Sequence, residues 1–134
     1  MLLPPRKPGI PMGITHTTAT IAALDRSREP FEAQFLIDTG AVDCLVPASL
    51  LEKAGVEAQE TDIYELANGE TVEFPFGFAW MTFMGTRIIA KIIFGPEHAE
   101  PILGVIALEQ AGLSVDPTTE TLKRMRARPL KRAA

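Results

Sequence analysis

The 134-residue chain has few of the residues that build covalent or metal-based frameworks. It contains one cysteine and two histidines, which excludes a disulfide framework within the chain and a four-cysteine zinc site. Neither His16 nor His98 has metal-ligand spacing with Cys44, so we expect no bound metal, and we expect no cofactor. The sequence also lacks a glycine motif of the kind that cradles phosphates.

Long apolar runs are also missing. Apolar residues make up 46% of the chain, but none of their runs is long enough for a membrane span. No charged start precedes a leader-like apolar segment. We therefore expect a soluble, cytoplasmic protein. The length suits one domain, whose core is large enough to fold without disulfides or metal.

Acidic residues are absent from the C-terminal end. Residues 123–134 hold six basic residues and no acid, a net charge of +6, whereas the rest of the chain has 17 acidic and seven basic residues, a net charge of −10. An acidic body disfavours nucleic-acid binding. The basic tail is either a solvated, frayed end or a contact for RNA, a membrane surface or the acidic body itself.

Turn signals divide the chain into short elements, most of which are predicted strands. Four prolines and two glycines predict an extended arm at residues 1–13. Asn68-Gly69 is the strongest hairpin signal, and short helices are predicted from Pro47 to Gly55 and from Val105 to a C-cap at Gly112. Strands are predicted at 14–24, 31–37, 61–66, 70–76, 79–83, 86–94, 101–104, 113–115 and 121–122. This pattern predicts a mostly β barrel or sandwich.

The residues best placed for chemistry follow the most apolar run, at 35–37. Asp38 stands where the chain leaves the core, the Thr39 hydroxyl and nearby N–H groups can stabilise its charge, and Gly40 permits close backbone approach. A DTG tripeptide arises by chance in roughly 2 of 100 chains of this length, so an ordinary strand-end turn stays open. Peptide hydrolysis by acid–base chemistry needs two carboxyls that share a proton, and a two-fold dimer would supply the second copy.

Three segments, in order, resemble the retropepsin-like (retroviral-type) aspartic proteases, and more closely the small bacterial members of that clan. FLIDTGA at 35–41 resembles the active-site strand and loop, and YELANGETVEF at 64–74 resembles the flap hairpin. PILGVIALEQAGLSVDP at 101–117 resembles the apolar-apolar-Gly motif with the helix and strand that follow it. The resemblance covers most of residues 14–122, the expected domain between the arm and the basic tail.

The family implies a closed, mostly β barrel with one or two short helices, paired into a symmetric homodimer that acts as an aspartic endopeptidase on a peptide or protein substrate. Asp38 would be the catalytic acid and base, the Thr39 hydroxyl would bond across the dimer, and Gly40 would place backbone against the substrate. Substrate contacts are implied for Ala41 and for a flap tip made of Ala67, Asn68, Gly69 and Glu70. Ile102, Leu103 and Gly104 would pack beneath the active-site loop.

The sequence departs from the retroviral pattern at three places. Val42 replaces the first of two acids that often follow DTGA, and the remaining Asp43 either binds a substrate backbone or caps the turn at Pro47. Val105 replaces an arginine that often follows the apolar-Gly motif, and the flap tip has only one glycine. The alternative is therefore a catalytically weak or inactive module for dimerisation or peptide binding. A cysteine hydrolase that uses Cys44 with one histidine is a third hypothesis.

Overall fold

A computed structural model describes residues 15–116 and 121–125 of the protein. The predicted arm at 1–13 and the basic residues beyond 125 lie outside the described residues. The described elements are β1 (Thr15–Ala22), β2 (Phe31–Ile37), β3 (Cys44–Pro47), α1 (Ala48–Lys53), β4 (Glu60–Glu65), β5 (Thr71–Phe83), β6 (Thr86–Gly95), β7 (Ile102–Leu103), α2 (Val105–Gln110), β8 (Leu113–Asp116) and β9 (Thr121–Arg124).

Six of the strands close into a barrel. Their order around it is β1-β2-β7-β3-β6-β5, and the pairing of β5 with β1 completes the ring. The β2–β7 and β3–β6 pairs are parallel, and the other neighbours are antiparallel. Closure joins the first and last strands of the sheet, although residues 31–35 of β2 pair with β1 alone among the described strands. The prediction of a mostly β barrel with short helices is confirmed.

Alternating apolar residues fill the barrel. Ala19 and Ile21 of β1 are fully buried, and so are Ala79 and Met81 of β5, because successive strand residues point to opposite faces. In β2 the alternation gives a buried Phe35 and Ile37 with a half-buried Leu36 between them. Further core residues come from the helices and from the start of β8: Leu51, Ala107, Leu108 and Leu113.

Both predicted helices are present, each six residues long. The N-cap residue of α1, Pro47, makes no side-chain cap hydrogen bond. The Glu97 carboxylate accepts the Ser49 N–H at 3.1 Å, and hydrogen bonding to the Ser49 side chain and to this N–H holds the pKa of Glu97 below its ordinary value. After α1, Gly55 takes a φ of +86°, which favours glycine.

The structure corrects the predicted break between strands at 76 and 79. β5 runs without interruption through Pro75 and Gly77. Proline is tolerated in a strand where one side is unpaired, and pairing of β5 with β6 begins only at Phe76. Gly77 is needed because a Cβ there would clash with the carbonyl oxygen of Glu57. Both residues therefore mark where β5 enters the barrel.

The sequence pattern did not predict the short strand β3. β3 pairs in parallel with β6 and touches β7 at Leu45. Its Cys44 and Val46 are buried. β8 and β9 form a separate two-stranded sheet, in which Arg124 donates to the Met84 carbonyl oxygen at 2.6 Å. Lys123 and Arg124, the first two residues of the predicted basic tail, thus lie in a strand.

Candidate active site

Asp38 follows β2 directly and begins a loop that continues to Asp43. Its N–H donates to the Leu103 carbonyl oxygen at 3.1 Å, and its carbonyl oxygen accepts the Ala41 N–H at 3.0 Å. Its carboxylate Oδ1 accepts the Gly40 N–H at 2.9 Å. The half-buried carboxylate is therefore oriented by the backbone of its own loop.

The loop rests on β7 and the start of α2. The Val105 N–H donates to the Ala41 carbonyl oxygen at 2.8 Å, and the Ile106 N–H donates to that of Val42 at 3.3 Å. The first N–H groups of a helix have no partner within the helix, and the loop carbonyls satisfy them. Gly104 is buried against the loop backbone, where a Cβ would lie 2.6 Å from the Asp43 carbonyl oxygen.

An open cavity of about 510 Å³ lies over this loop. On the loop side, Asp38, Gly40, Ala41, Val42 and Asp43 line it, and Ile102 and two barrel residues, Leu45 and Ile93, extend this wall. The opposite wall comes from β4, the turn after it and β5, through Ile63, Tyr64, Glu65, Leu66, Ala67 and Phe74. The cavity is thus a largely apolar groove, and the carboxylates that line it are those of Asp38, Asp43 and Glu65.

A two-stranded ribbon, residues 60–75, forms that opposite wall. The ladder of β4 and β5 ends in a turn in which the Leu66 N–H donates to the Glu70 carbonyl oxygen at 2.7 Å. Asn68 Oδ1 accepts the Glu70 N–H at 2.9 Å, and Gly69 has a φ of +90°. The hairpin predicted from Asn68-Gly69 is confirmed.

Asp43 forms a polar cluster with Lys91 and with two residues of the ribbon, Asp62 and Tyr64. Its Oδ2 accepts the Tyr64 hydroxyl at 3.2 Å and is 3.4 Å from Lys91 Nζ. Lys91 also donates to Asp62 Oδ2 at 3.1 Å. The Asp43 side chain is only 11% exposed. Among the described residues, the side-chain partners of Asp43 thus come from the ribbon and the barrel wall.

Charge and burial tune the groups of this cluster. The hydrogen bond from Lys91 holds the pKa of Asp62 below its ordinary value. Burial lowers the pKa of Lys91, but the hydrogen bond to Asp62 and the charge of Asp43 raise it by more, so the ammonium stays charged. Burial and the charge of Asp43 raise the pKa of Tyr64, which keeps its hydroxyl protonated as a donor.

Some of the predicted site residues line the groove, and the others lie near it without lining it. Asp38, Gly40, Ala41, Asp43, Ala67 and Ile102 line it. Thr39 is half-buried beside Asp38, and within residues 15–116 and 121–125 its hydroxyl has no hydrogen-bond partner. Asn68, Gly69 and Glu70 are exposed at the ribbon tip, and Leu103 is buried beneath the loop.

Three members of the Asp43 cluster were not predicted from the sequence: Asp62, Tyr64 and Lys91. Two of them carried a weak signal. Tyr64 is the only tyrosine of the chain, and Lys91 is the one charged residue in the apolar stretch 88–94. A lone charge in a strand that enters the core needs a partner, because an unpaired buried charge is costly.

Cys44 and His16, two other side chains considered for catalysis, lie outside the groove lining. Cys44 is 1% exposed, and burial raises its pKa to about 11, which suits a core thiol and not a nucleophile. His16 Nε2 lies 2.7 Å from Glu100 Oε2 on the surface. Within the described ranges, no three metal-binding side chains are grouped. None of the helices described is long and apolar enough to cross a membrane.

No family model and no curated protein matches the chain. Among solved structures, it is similar to the solution structure of the Simian Foamy Virus (mac) protease, with a TM-score of 0.51, 16% sequence identity, and coverage of 71% of this chain and 92% of that one. It is also similar to Lpg0085 from Legionella pneumophila, a protein of unknown function, with a TM-score of 0.50, 12% identity, and coverage of 84% and 98%. The fold is therefore similar to that of a retroviral protease.

Proposed function

We propose, from this likeness in fold and from the placement of Asp38, that the protein is an aspartic endopeptidase that acts as a symmetric homodimer. The observation that carries the proposal is the Asp38 carboxylate on the base of the groove, where the Gly40 N–H orients it at 2.9 Å. Hydrogen bonds with β7 and with the start of α2 hold the backbone of the loop that contains Asp38. An ordinary exposed turn at the end of a strand would not need this support.

A second carboxylate completes the chemistry. A two-fold axis beside Asp38 would bring the same residue of the partner into the site, because an isologous interface places identical residues on both sides of the axis. Two adjacent carboxylates do not both ionise readily, so the pair keeps one proton over a range of acidic pH. One carboxylate then takes a proton from water while the other protonates the peptide carbonyl oxygen.

The groove and the ribbon support an extended substrate. Ala41, Val42 and Ile102 offer apolar contacts on one side, and Ile63, Leu66 and Ala67 offer them on the other. A peptide in strand conformation presents alternate side chains to the two walls and can hydrogen-bond through its backbone. Thr39, whose hydroxyl is free of partners among the described residues, is proposed to bond across the dimer.

The experiment compares wild type with Asp38→Asn. Both are incubated with a diverse peptide library between about pH 3 and 8, with the association state recorded in the same buffers. Asparagine keeps an oxygen that can accept the Gly40 N–H, so the fold and the dimer are expected to survive. Cleavage is expected from the wild-type dimer, with a loss of at least about a thousandfold in Asp38→Asn.

Asp25→Asn is the matched control. Asp25 bonds the Ser27 N–H in the turn after β1 and does not line the groove, so its variant is expected to cleave normally. Equal cleavage by wild type and Asp38→Asn would refute the aspartic mechanism. Absence of cleavage by a proven dimer, tested across the library, would favour the alternative below.

The alternative is a peptide-binding module with weak or no catalysis. One observation favours it. Asp43, the acid that follows DTGAV, contacts Tyr64 and Lys91, so its carboxylate has less capacity than a free one to accept hydrogen bonds from a substrate backbone. In that case wild type and Asp38→Asn would bind the same peptides with equal affinity, and no fragments would appear.

A further inference from the structure

The ribbon projects from the barrel on one pair of strands. Residues 71–75 of β5 pair with β4 alone among the described strands, because β5 meets β6 only from Phe76 onward and β1 only from Trp80 onward. An isolated two-stranded hairpin is marginally stable in water. Its angle over the groove therefore depends on side-chain contacts that join the ribbon to the barrel and to the active-site loop.

Two neighbouring side chains on one face of β4 make those contacts. Asp62 and Tyr64 are two residues apart in a strand and point to the same side. Tyr64 donates to Asp43 of the active-site loop at 3.2 Å, and Asp62 accepts from Lys91 of the barrel at 3.1 Å. The ribbon is thus tied both to the loop that bears Asp38 and to the barrel wall.

Lys91 contacts both acidic residues, Asp62 of the ribbon and Asp43 of the active-site loop. It lies in β6 opposite Phe78, and its Nζ is 3.1 Å from Asp62 and 3.4 Å from Asp43. The ammonium also stands 4.3 Å from the centroid of the Phe76 ring, at the residue where the ribbon enters the barrel. The Asp43 side chain is 11% exposed and that of Asp62 is 50% exposed, so solvent screens the contact of Lys91 with Asp43 less than its contact with Asp62.

We propose that Lys91 is a positioning residue that sets the ribbon over the groove by holding Asp62 and Asp43 together. The proposal rests on the proposed function in so far as the ribbon covers a bound peptide. It assigns Asp43 to the support of the ribbon and not to contact with the substrate backbone. Neither Lys91 nor Tyr64 touches the reacting atoms in this assignment.

The first test needs no catalysis. Amide hydrogen exchange is measured in the Asp38→Asn background with Lys91→Met, which keeps the length of the side chain and removes its charge. We expect exchange at residues 61–74 to rise about fivefold, the effect of losing a partly exposed ion pair, while exchange in β1 and β2 stays unchanged. Lys91→Arg is expected to restore the slow exchange, and Lys53→Met, on the exposed surface of α1, to leave it unaltered.

Unchanged exchange in the ribbon of Lys91→Met would overturn the proposal. An equal rise in the ribbon and the barrel core would also overturn it, because that result reports a general loss of stability. Tyr64→Phe provides a second variant if Lys91→Met does not fold. It removes one oxygen and its bond to Asp43, and it is expected to speed exchange in the ribbon alone.

The second test uses the active protein. If peptides are cleaved, Lys91→Met is expected to raise KM about fivefold and to leave kcat within about twofold, because the ribbon binds substrate and the carboxylates perform the chemistry. Lys91→Arg is expected to rescue KM. A fivefold fall in kcat with an unchanged KM would overturn the positioning role. If no peptide is cleaved, the proposed function fails, and the exchange experiment still decides the role of Lys91.

Discussion

Gly104 and Asp43 approach so closely that a side chain on residue 104 has no room. A Cβ atom there would lie 2.6 Å from the carbonyl oxygen of Asp43 and 2.7 Å from that of Val42. The φ of Gly104 is −89°, which any residue adopts, so the requirement for glycine is one of space and not of backbone conformation. The close approach lets the α2 N–H groups reach the loop carbonyls.

Gly104→Ala is therefore expected to destabilise the protein by about 1–3 kcal/mol, because a rigid backbone contact must open to admit the methyl group. The free energy of unfolding in urea measures this loss. Glu109→Ala, on the exposed face of α2, serves as the control and is expected to change stability by less than about 0.5 kcal/mol. An equally small effect of Gly104→Ala would show that the loop shifts at no cost.

The close packing of Gly104 also illustrates what the sequence could predict. The order of Asp38, the Asn68-Gly69 turn and the motif at 102–104 matched a family pattern, and each part is a local signal. The hairpin turn follows from residues that favour a positive φ, and the strand before Asp38 follows from its apolar run. Local sequence patterns were therefore enough to predict the strand that leads to Asp38 and the hairpin turn of the ribbon.

Other features depend on contacts between distant residues. Asp62 and Lys91 are 29 residues apart, and their meeting requires the β4–β5 and β5–β6 registers to be known together. The continuity of β5 was missed for a similar reason. Pro75 and Gly77 are breakers by local propensity, but an unpaired strand side and a close backbone contact accommodate them. Tertiary context decided both cases.

The Asp62–Lys91 pair predicts a pH dependence of stability. Because the folded-state pKa of Asp62 is held below its ordinary value of 3.8, the pair stabilises the fold fully above that value. This contribution is lost as the pH falls through the lowered folded-state pKa. Asp62→Asn is therefore expected to be less stable than wild type in urea at about pH 6, and the difference is expected to narrow as the pH falls to about 2. Glu60→Gln, at an exposed residue of β4, is the control, and its difference in stability from wild type should not narrow in this way. A difference between wild type and Asp62→Asn that is the same at both pH values would contradict the stabilising role of the Asp62–Lys91 pair.

Cys44 is expected to be inert in the native protein. Burial raises its pKa from 9.0 to about 11, so the thiolate fraction at pH 8 falls about a hundredfold. Iodoacetamide should label it slowly in buffer and rapidly in urea, as read by mass spectrometry. Native protein incubated with the reagent should keep its peptide cleavage. Rapid native labelling with loss of cleavage would instead revive the cysteine-hydrolase hypothesis.

The charge of the groove predicts a preference among peptides. Asp38, Asp43 and Glu65 line it, and no lysine, arginine or histidine does so among the residues that the structure describes. Lys91 compensates Asp43 from outside the groove. A carboxylate on a bound peptide therefore meets like charge, whereas an ammonium meets opposite charge. At a partly exposed site such a difference amounts to about 1 kcal/mol or less.

Matched peptides that differ by lysine or glutamate at one position test this preference. The lysine peptide is expected to have a KM about threefold lower at low salt, and the difference should vanish at about 1 M salt because the charges are screened. Binding to Asp38→Asn tests the preference without turnover, and a smaller difference of the same sign is expected because one of the three carboxylates is removed. Glu65→Gln should narrow the difference, whereas Glu73→Gln, which lies on β5 outside the groove lining, should preserve it. A preference for glutamate, or one that persists at high salt, would mean that shape and not charge selects the peptide.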